Sequence, residues 1–174
     1  MDLTGWIAGR YELTNRLGNW AAHGVRPALD GVTVEMANWR PAPDQHTIAE
    51  MIAHLAYHRE LVAARLRGQP RDHREDDDWQ AGPATEDGLK LVRARLDRAH
   101  GAVTAVLAEL KPEQLLEPLM GSWLSPKVVT RRIDLAVDIA THDLYHSGQI
   151  FLVKRLYAHR DAVAAGVAKN AADG

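Results

Sequence analysis

Leu89, Val92, Leu96, Ala99, Val103, Val106 and Leu110 recur at spacings of three and four residues, and this period decides what the chain can build. Residues spaced in this way share one face of an α-helix and form a long apolar stripe that another element must cover. Strand-like alternation of β-branched residues is nearly absent elsewhere, while Ala, Leu and Arg fill long periodic stretches. The predicted class is all-α.

Four long helices follow from the pattern. The first spans about Ile7 to Leu29, with Leu13, Leu17, Trp20, Ala21 and Val25 as its stripe. Gly24 and Pro27 are places where it can kink or divide, because proline removes a backbone donor and crowds the preceding turn. Val32 to Met36 adds a short turn, and Trp39-Arg40-Pro41-Ala42-Pro43 reads as a connector. In the second helix Thr47 stands three residues before Glu50, the spacing of a capping box. It runs to about Arg67, stops near Gly68 and Pro70, and turns Ile48, Met51, Ile52, Leu55, Val62 and Leu66 inward. Between Gly68 and Asp87 the chain is polar and reads as a long loop. Its run Asp76-Asp77-Asp78 lacks the ligand spacing of a calcium loop and reads as solvated. The third helix ends at Lys111-Pro112, and Pro118, Gly121 and Pro126 make the segment to Lys127 mostly irregular. The fourth runs from about Val128 to Tyr157, followed by an Ala-rich tail that extends it or frays. No internal repeat occurs. Four helices with long connections between the second and third and between the third and fourth predict a four-helix bundle, one domain over residues 1–174.

Charge and composition narrow the function. With 21 basic and 23 acidic residues the net charge is −2, so no overall field draws the chain to nucleic acid or an anionic membrane. The absence of cysteine removes disulfides, thiolate metal sites and cysteine nucleophiles, so any metal here is held by nitrogen and oxygen. No apolar run approaches the roughly 18 residues of a membrane span, and the N-terminus lacks a basic region followed by an apolar one. The expected location is cytoplasmic.

Among the nine histidines, His142 and His146 stand one helical turn apart, as do His54 and His58. At that spacing two imidazoles can share one ion. The fourth helix carries two stripes, Ile133, Val137, Ala140, Leu144 and Phe151 on one, and Leu135, Ile139, His142, His146, Ile150 and Val153 on the other. Imidazoles on an apolar stripe need partners for their nitrogens, and either a metal or hydrogen bonds meet that need. His54 sits on the flank of the second helix near Met51, Tyr57 and Leu61, within approach of the fourth. Asp143 and Asp138 flank the pair and either orient an imidazole N–H or face solvent and pair with Arg131, Arg132 or Arg155. Gln149 either bonds a substrate or packs at the helix interface. Tyr57, Tyr145, Trp39 and Trp123 line a pocket or fill the core.

The run from Trp39 through Pro41, Pro43, Thr47 and Glu50 to His54-Leu55 resembles the first signature of the DinB-like superfamily, a proline-containing turn before a capped helix that carries His-Leu. His142-Asp143-Leu144-Tyr145-His146-Ser147-Gly148-Gln149-Ile150 is similar to that superfamily's second signature, His-x-x-x-His followed by Gly-Gln-Ile. The resemblance covers nearly the whole chain. It implies a four-helix bundle of the DinB-like type in which His54, His142 and His146 hold a divalent metal, zinc ahead of nickel or iron. His46 departs from the family pattern, which has tryptophan or another large residue just before the capping hydroxyl, and this puts local packing rather than the metal in question. Within that pattern His58 is a rim or core residue, with an extra ligand as the alternative; Asp143, Gln149 and His58 are the candidates for supporting the chemistry. The implied activity is a metal-dependent enzyme, a transferase using a low-molecular-weight thiol such as bacillithiol or mycothiol on small electrophiles in detoxification. Its alternatives are a metal-dependent hydrolase and a non-catalytic, metal-stabilised dimeric bundle. The expected partners are a small-molecule substrate and a second copy of the chain.

Overall fold

Short polar side chains set where the helices of this chain begin. In the computed structural model, which describes residues 2–69, 71–119 and 130–161, they are α1 (Leu3–Arg16), α2 (Val25–Leu29), α3 (Val34–Asn38), α4 (Ile48–Leu66), α5 (Glu75–Asp78), α6 (Glu86–Glu109), α7 (Pro112–Leu115) and α8 (Arg132–Ala158). Asp2, Thr33, Thr47 and Thr85 each accept a bond from a backbone N–H in the first turn of α1, α3, α4 and α6. The Thr47 box closes both ways, the Glu50 N–H reaching Thr47 Oγ1 at 3.1 Å and the Thr47 N–H reaching Glu50 Oε2 at 2.8 Å. No β-strand is present among the described residues. No described helix is long and apolar enough to cross a membrane.

The expected first helix is divided, and its division lies earlier than Gly24. Gly18 adopts φ +89°, a left-handed conformation that suits glycine, and the Asn19 side chain accepts bonds from the N–H groups of Ala21 and Ala22 at 2.8 and 3.0 Å. This turn moves Leu17 and Trp20 off the expected stripe; Trp20 is 97% exposed. The buried face of α1 consists instead of Thr4, Ile7, Tyr11, Thr14 and Asn15. Pro27 lies within α2, where the predicted kink is unnecessary because the helix is a single short turn. The fourth long helix begins at Arg132, since Arg131 has extended backbone and its N–H donates to Asp134 Oδ2 at 2.8 Å. Residues 120–129 and 162–174, including Trp123, Val128 and the Ala-rich tail, lie outside the described residues.

Helix α4 packs against both α6 and α8, and α1 packs against the same pair. All six residues expected to point inward from α4 are buried. On α6, Leu89, Leu96, Ala99, Val103 and Val106 are buried as the period predicts. Of the two stripes of α8, the one carrying the histidines faces the core, while Val137 on the other is 48% exposed. The core falls into two apolar halves. One joins α2, the first half of α4, the start of α6 and the end of α8; the other joins α1, the end of α4, the later part of α6, α7 and the start of α8.

Arg59 and Asp143 lie between the halves, both fully buried. The guanidinium donates twice to Asp143 Oδ2, at 2.8 and 3.1 Å, and further to Asn15 Oδ1 at 3.2 Å and the Leu96 carbonyl at 3.4 Å. Asp143 therefore pairs with an arginine of α4 and not with Arg131, Arg132 or Arg155. Burial by itself raises the Asp143 pKa, but the Arg59 charge and the hydrogen bonds outweigh it and hold the carboxyl below its ordinary range.

Removing one partner of such a pair strands a buried charge. Arg59→Met is expected to lower the unfolding free energy by about 3–5 kcal/mol, and adding Asp143→Leu to recover most of that loss, both read from urea titrations. Because the folded-state pKa of Asp143 is depressed, its contribution is complete above the unfolded value of about 4 and fades as pH falls toward the folded one. The wild-type protein should lose stability more steeply than Asp143→Asn over that acid range.

Candidate metal centre

Two helices and one loop supply the side chains of this site. His54 projects from α4, where the capping box sets the start of the helix, and His142 and His146 project from the core-facing stripe of α8. The three come together, with ligating nitrogens within 4.8 Å of one another. His54 Nε2 and His142 Nε2 are 2.9 Å apart, and the His146 ring lies 4.6 Å from each of the other two, centroid to centroid. His54 and His146 are buried and His142 is partly exposed.

The proton on two of the rings can be traced. Burial pulls the His54 pKa down to about 3 and the His146 pKa down to about 4, so both rings are neutral and carry one proton. His54 Nδ1 is 2.5 Å from Asp78 Oδ1. Burial raises the Asp78 pKa, but hydrogen bonds from His73 and His54 more than offset it, so the carboxylate is ionised and accepts. The proton therefore sits on His54 Nδ1, leaving a lone pair on Nε2. His146 Nδ1 is 2.6 Å from Gln149 Oε1, and Gln149 Nε2 donates to the Tyr145 hydroxyl at 3.1 Å, which orients the amide. Its Nε2 is likewise a lone pair. His142 Nδ1 lies 3.9 Å from the Asp143 carboxylate, beyond hydrogen-bond reach, and both that nitrogen and Asp143 Oδ1 are buried without a hydrogen-bond partner. Nitrogens 2.9 Å apart share either a proton or a cation, and two acceptor lone pairs turned inward beside the His142 ring fit a cation.

Asp78 is the residue that the sequence pattern misplaced. It ends α5, inside the segment expected to be a solvated loop, yet it is 4% exposed. Its second oxygen takes His73 Nε2 at 2.9 Å and His58 Nε2 at 3.4 Å. His58 thus lies beside the triad, its ring 4.3 Å from His54 and 4.8 Å from His142, partly buried. His54, His58 and Asp78 form a second group of ligand type. Hydrogen bonds already satisfy that group. Trp79, the next residue, stacks between His54 and His46 at 3.7 and 3.6 Å, nearly parallel to both. The unusual His46 is therefore one face of an aromatic stack, and a large flat group is retained there. A single signal pointed to this arrangement: Trp79 is a large apolar side chain in an otherwise polar stretch, and such a residue returns the chain to the core.

The loop is held down at both ends. The Arg74 N–H donates to the Tyr57 hydroxyl at 2.6 Å, and Asn38 Nδ2 donates to the Pro83 carbonyl at 2.9 Å. A Cβ at Gly82 would collide with Asn38 and with the Cβ of Ala49, so only glycine lets the loop pass this close to the start of α4. Tyr57 is consequently a loop anchor rather than a pocket wall. Asp138 is exposed on the far side of α8 and orients no ligand. Trp39 packs edge-on against Tyr157 at 5.7 Å, and Glu50, besides its capping role, pairs with Arg40.

A family model for the DinB superfamily matches residues 19–150. The chain belongs to the DinB superfamily. Among solved structures it is similar to a conserved protein from Enterococcus faecalis, with a TM-score of 0.67 and 18% identity over 90% of this chain and 97% of that one. That likeness supports the fold. No curated protein matches the chain. In this DinB-superfamily protein the buried histidine and aspartate groups are of a kind that can hold a metal ion.

Asp78 and Gln149 set which nitrogen of His54 and of His146 is free. Asp78→Ala and Gln149→Ala are each expected to weaken divalent-metal affinity by about 10–100-fold while the far-ultraviolet circular dichroism stays that of wild type. Competition against a chromogenic chelator measures this, and unchanged affinity in both variants would count against the proton assignment.

Proposed function

We propose that this DinB-superfamily protein is a divalent-metal-dependent enzyme, with His54, His142 and His146 as ligands through Nε2, that transfers a low-molecular-weight thiol to small electrophiles. The observation that carries the reading is the convergence of three imidazoles, two with Nδ1 protons already committed to Asp78 and Gln149. Three neutral ligands leave a divalent ion its full charge, and three protein ligands leave positions open for a small molecule. Such an ion acidifies a thiol or water bound to it and polarises a substrate oxygen. Zinc is the first choice, with nickel and iron also suited to imidazole.

The chain's own residues then have defined tasks. Asp78 and Gln149 keep the ligand lone pairs aimed inward. His58 has its pKa lowered by burial, so it is neutral near pH 7, and with Nε2 turned to Asp78 its Nδ1 can take the proton released by an incoming thiol. The chain has no cysteine, so a thiol nucleophile comes from a co-substrate.

His142→Ala should remove most of the bound metal while leaving a helical protein, as elemental analysis after purification in metal-poor buffer will show. Stoichiometric metal in that variant would overturn the ligand assignment. For the activity, an aryl halide or epoxide is expected to consume thiol only with metal-loaded protein and to stop consuming it after chelation. Turnover of an ester without thiol would replace the transferase by a hydrolase.

A further inference from the structure

A cavity of about 570 Å³ opens beside the triad, and its lining has a chemical bias that bears on what occupies it. Its apolar wall comes from Met51, Trp79, Leu152, Val153 and Leu156, with Pro41 and Ala42 at one edge. Its polar atoms come from Gln45, His46, Tyr145, His146 and Gln149. Among the described residues, no Asp, Glu, Lys or Arg lines the cavity, although a quarter of the chain is charged. Two of the walls belong to the metal centre itself: His146 is a member of the triad, and Trp79 stacks on His54 at 3.7 Å.

The polar end is arranged to donate. Gln149 spends its oxygen on His146 Nδ1 and an N–H on the Tyr145 hydroxyl, which fixes the amide and makes the phenol oxygen an acceptor. The phenol keeps its own hydrogen for another acceptor, and Tyr145 is 63% exposed at the cavity edge. An ionic ligand entering this space would lose hydration and meet no charged side chain among the described lining residues, whereas an apolar body gains by burial against Trp79 and the aliphatic wall.

We infer that the cavity takes an uncharged molecule with an apolar or aromatic body and one hydrogen-bond acceptor directed at Tyr145, and that carboxylated or cationic ligands are excluded. Resting on the reading of the triad as a metal-dependent site, this narrows the substrate class: the electrophile or the thiol lodged here carries no carboxylate. The volume is that of a drug-sized ligand, large enough for a phenyl ring with a short chain.

A matched set of probes tests it. 4-Phenylbutanamide, 4-phenylbutanoate and 4-phenylbutylamine share one body and differ in charge, and their binding can be followed by calorimetry and by NMR shifts of the Trp79 indole and the Gln149 side-chain amide. The amide should bind at least about tenfold more tightly than either ion, in chelator-treated and in metal-loaded protein alike, with shifts at both reporters. Leu152→Arg, at a half-exposed position outside the triad, should weaken amide binding about as much without altering metal content or helicity. Equal or tighter binding of an ion to the chelator-treated protein, or no shift at Trp79 and Gln149 with any probe, overturns the proposal. A preference for the carboxylate that appears only on metal loading also overturns it, while leaving the metal reading intact. Failure to bind metal, with the amide preference preserved, defeats the metal reading and leaves the cavity assignment standing.

Discussion

One guanidinium touches all four long helices. Arg59 of α4 reaches Asp143 on α8, Asn15 on α1 and the Leu96 carbonyl on α6 from a fully buried position between two apolar cores. A buried ion pair adds little net stability compared with a well-packed apolar replacement, because both charges lose their hydration. Its larger effect is on register. Rotating α8 by one residue, about 100°, would separate the two charges and strand them in the interior. Apolar stripes of Leu, Ile and Ala tolerate sliding more easily.

The histidine triad depends on that register. His142 precedes Asp143, and His146 lies one turn farther along, so fixing the carboxylate under Arg59 directs both imidazoles toward α4. On α4 the Thr47 box sets the start of the helix seven residues before His54. The third element is the connection from α4 to α6, which brings Asp78 onto His54 Nδ1 and Trp79 onto its ring face. Ordering such a segment costs conformational entropy. The Tyr57 and Asn38 anchors, the close pass at Gly82 and the His46–Trp79–His54 stack offset that cost. A loop of this kind is both a wall of the cavity and a support for one member of the triad.

Much of this was legible from local pattern. The period of α6 and the box at the start of α4 rest on interactions within four residues, which is why both stand where the sequence places them. His54, His142 and His146 were identified through two separated signatures, and the fold brings them together. Failures occurred where the partner is distant. Trp20 reads as a stripe residue until Gly18 and Asn19 turn the chain, and short-range spacing does not weigh a glycine turn against continued helix. Asp143 appeared equally able to pair with its helical neighbours, while its actual partner is 84 residues away. Asp78 looked like one more solvated aspartate, because its bond to His54 spans 24 residues.

The sequence by itself determined the all-α class, the limits and inward faces of α4 and α6, the exclusion of thiolate chemistry by the missing cysteine, and the pairing of His142 with His146 at helical spacing. Each follows from composition or from contacts closed within one or two turns. Tertiary structure alone decided which of the two stripes of α8 is buried, which nitrogen of the His54 and His146 rings points inward, and that a carboxylate and an indole from a polar connection complete the surroundings of His54. Those outcomes depend on long-range packing around Arg59 and on the loss of water from the interior, and a burial that pushes an imidazole pKa down to about 3 has no trace in the spacing of residues along the chain.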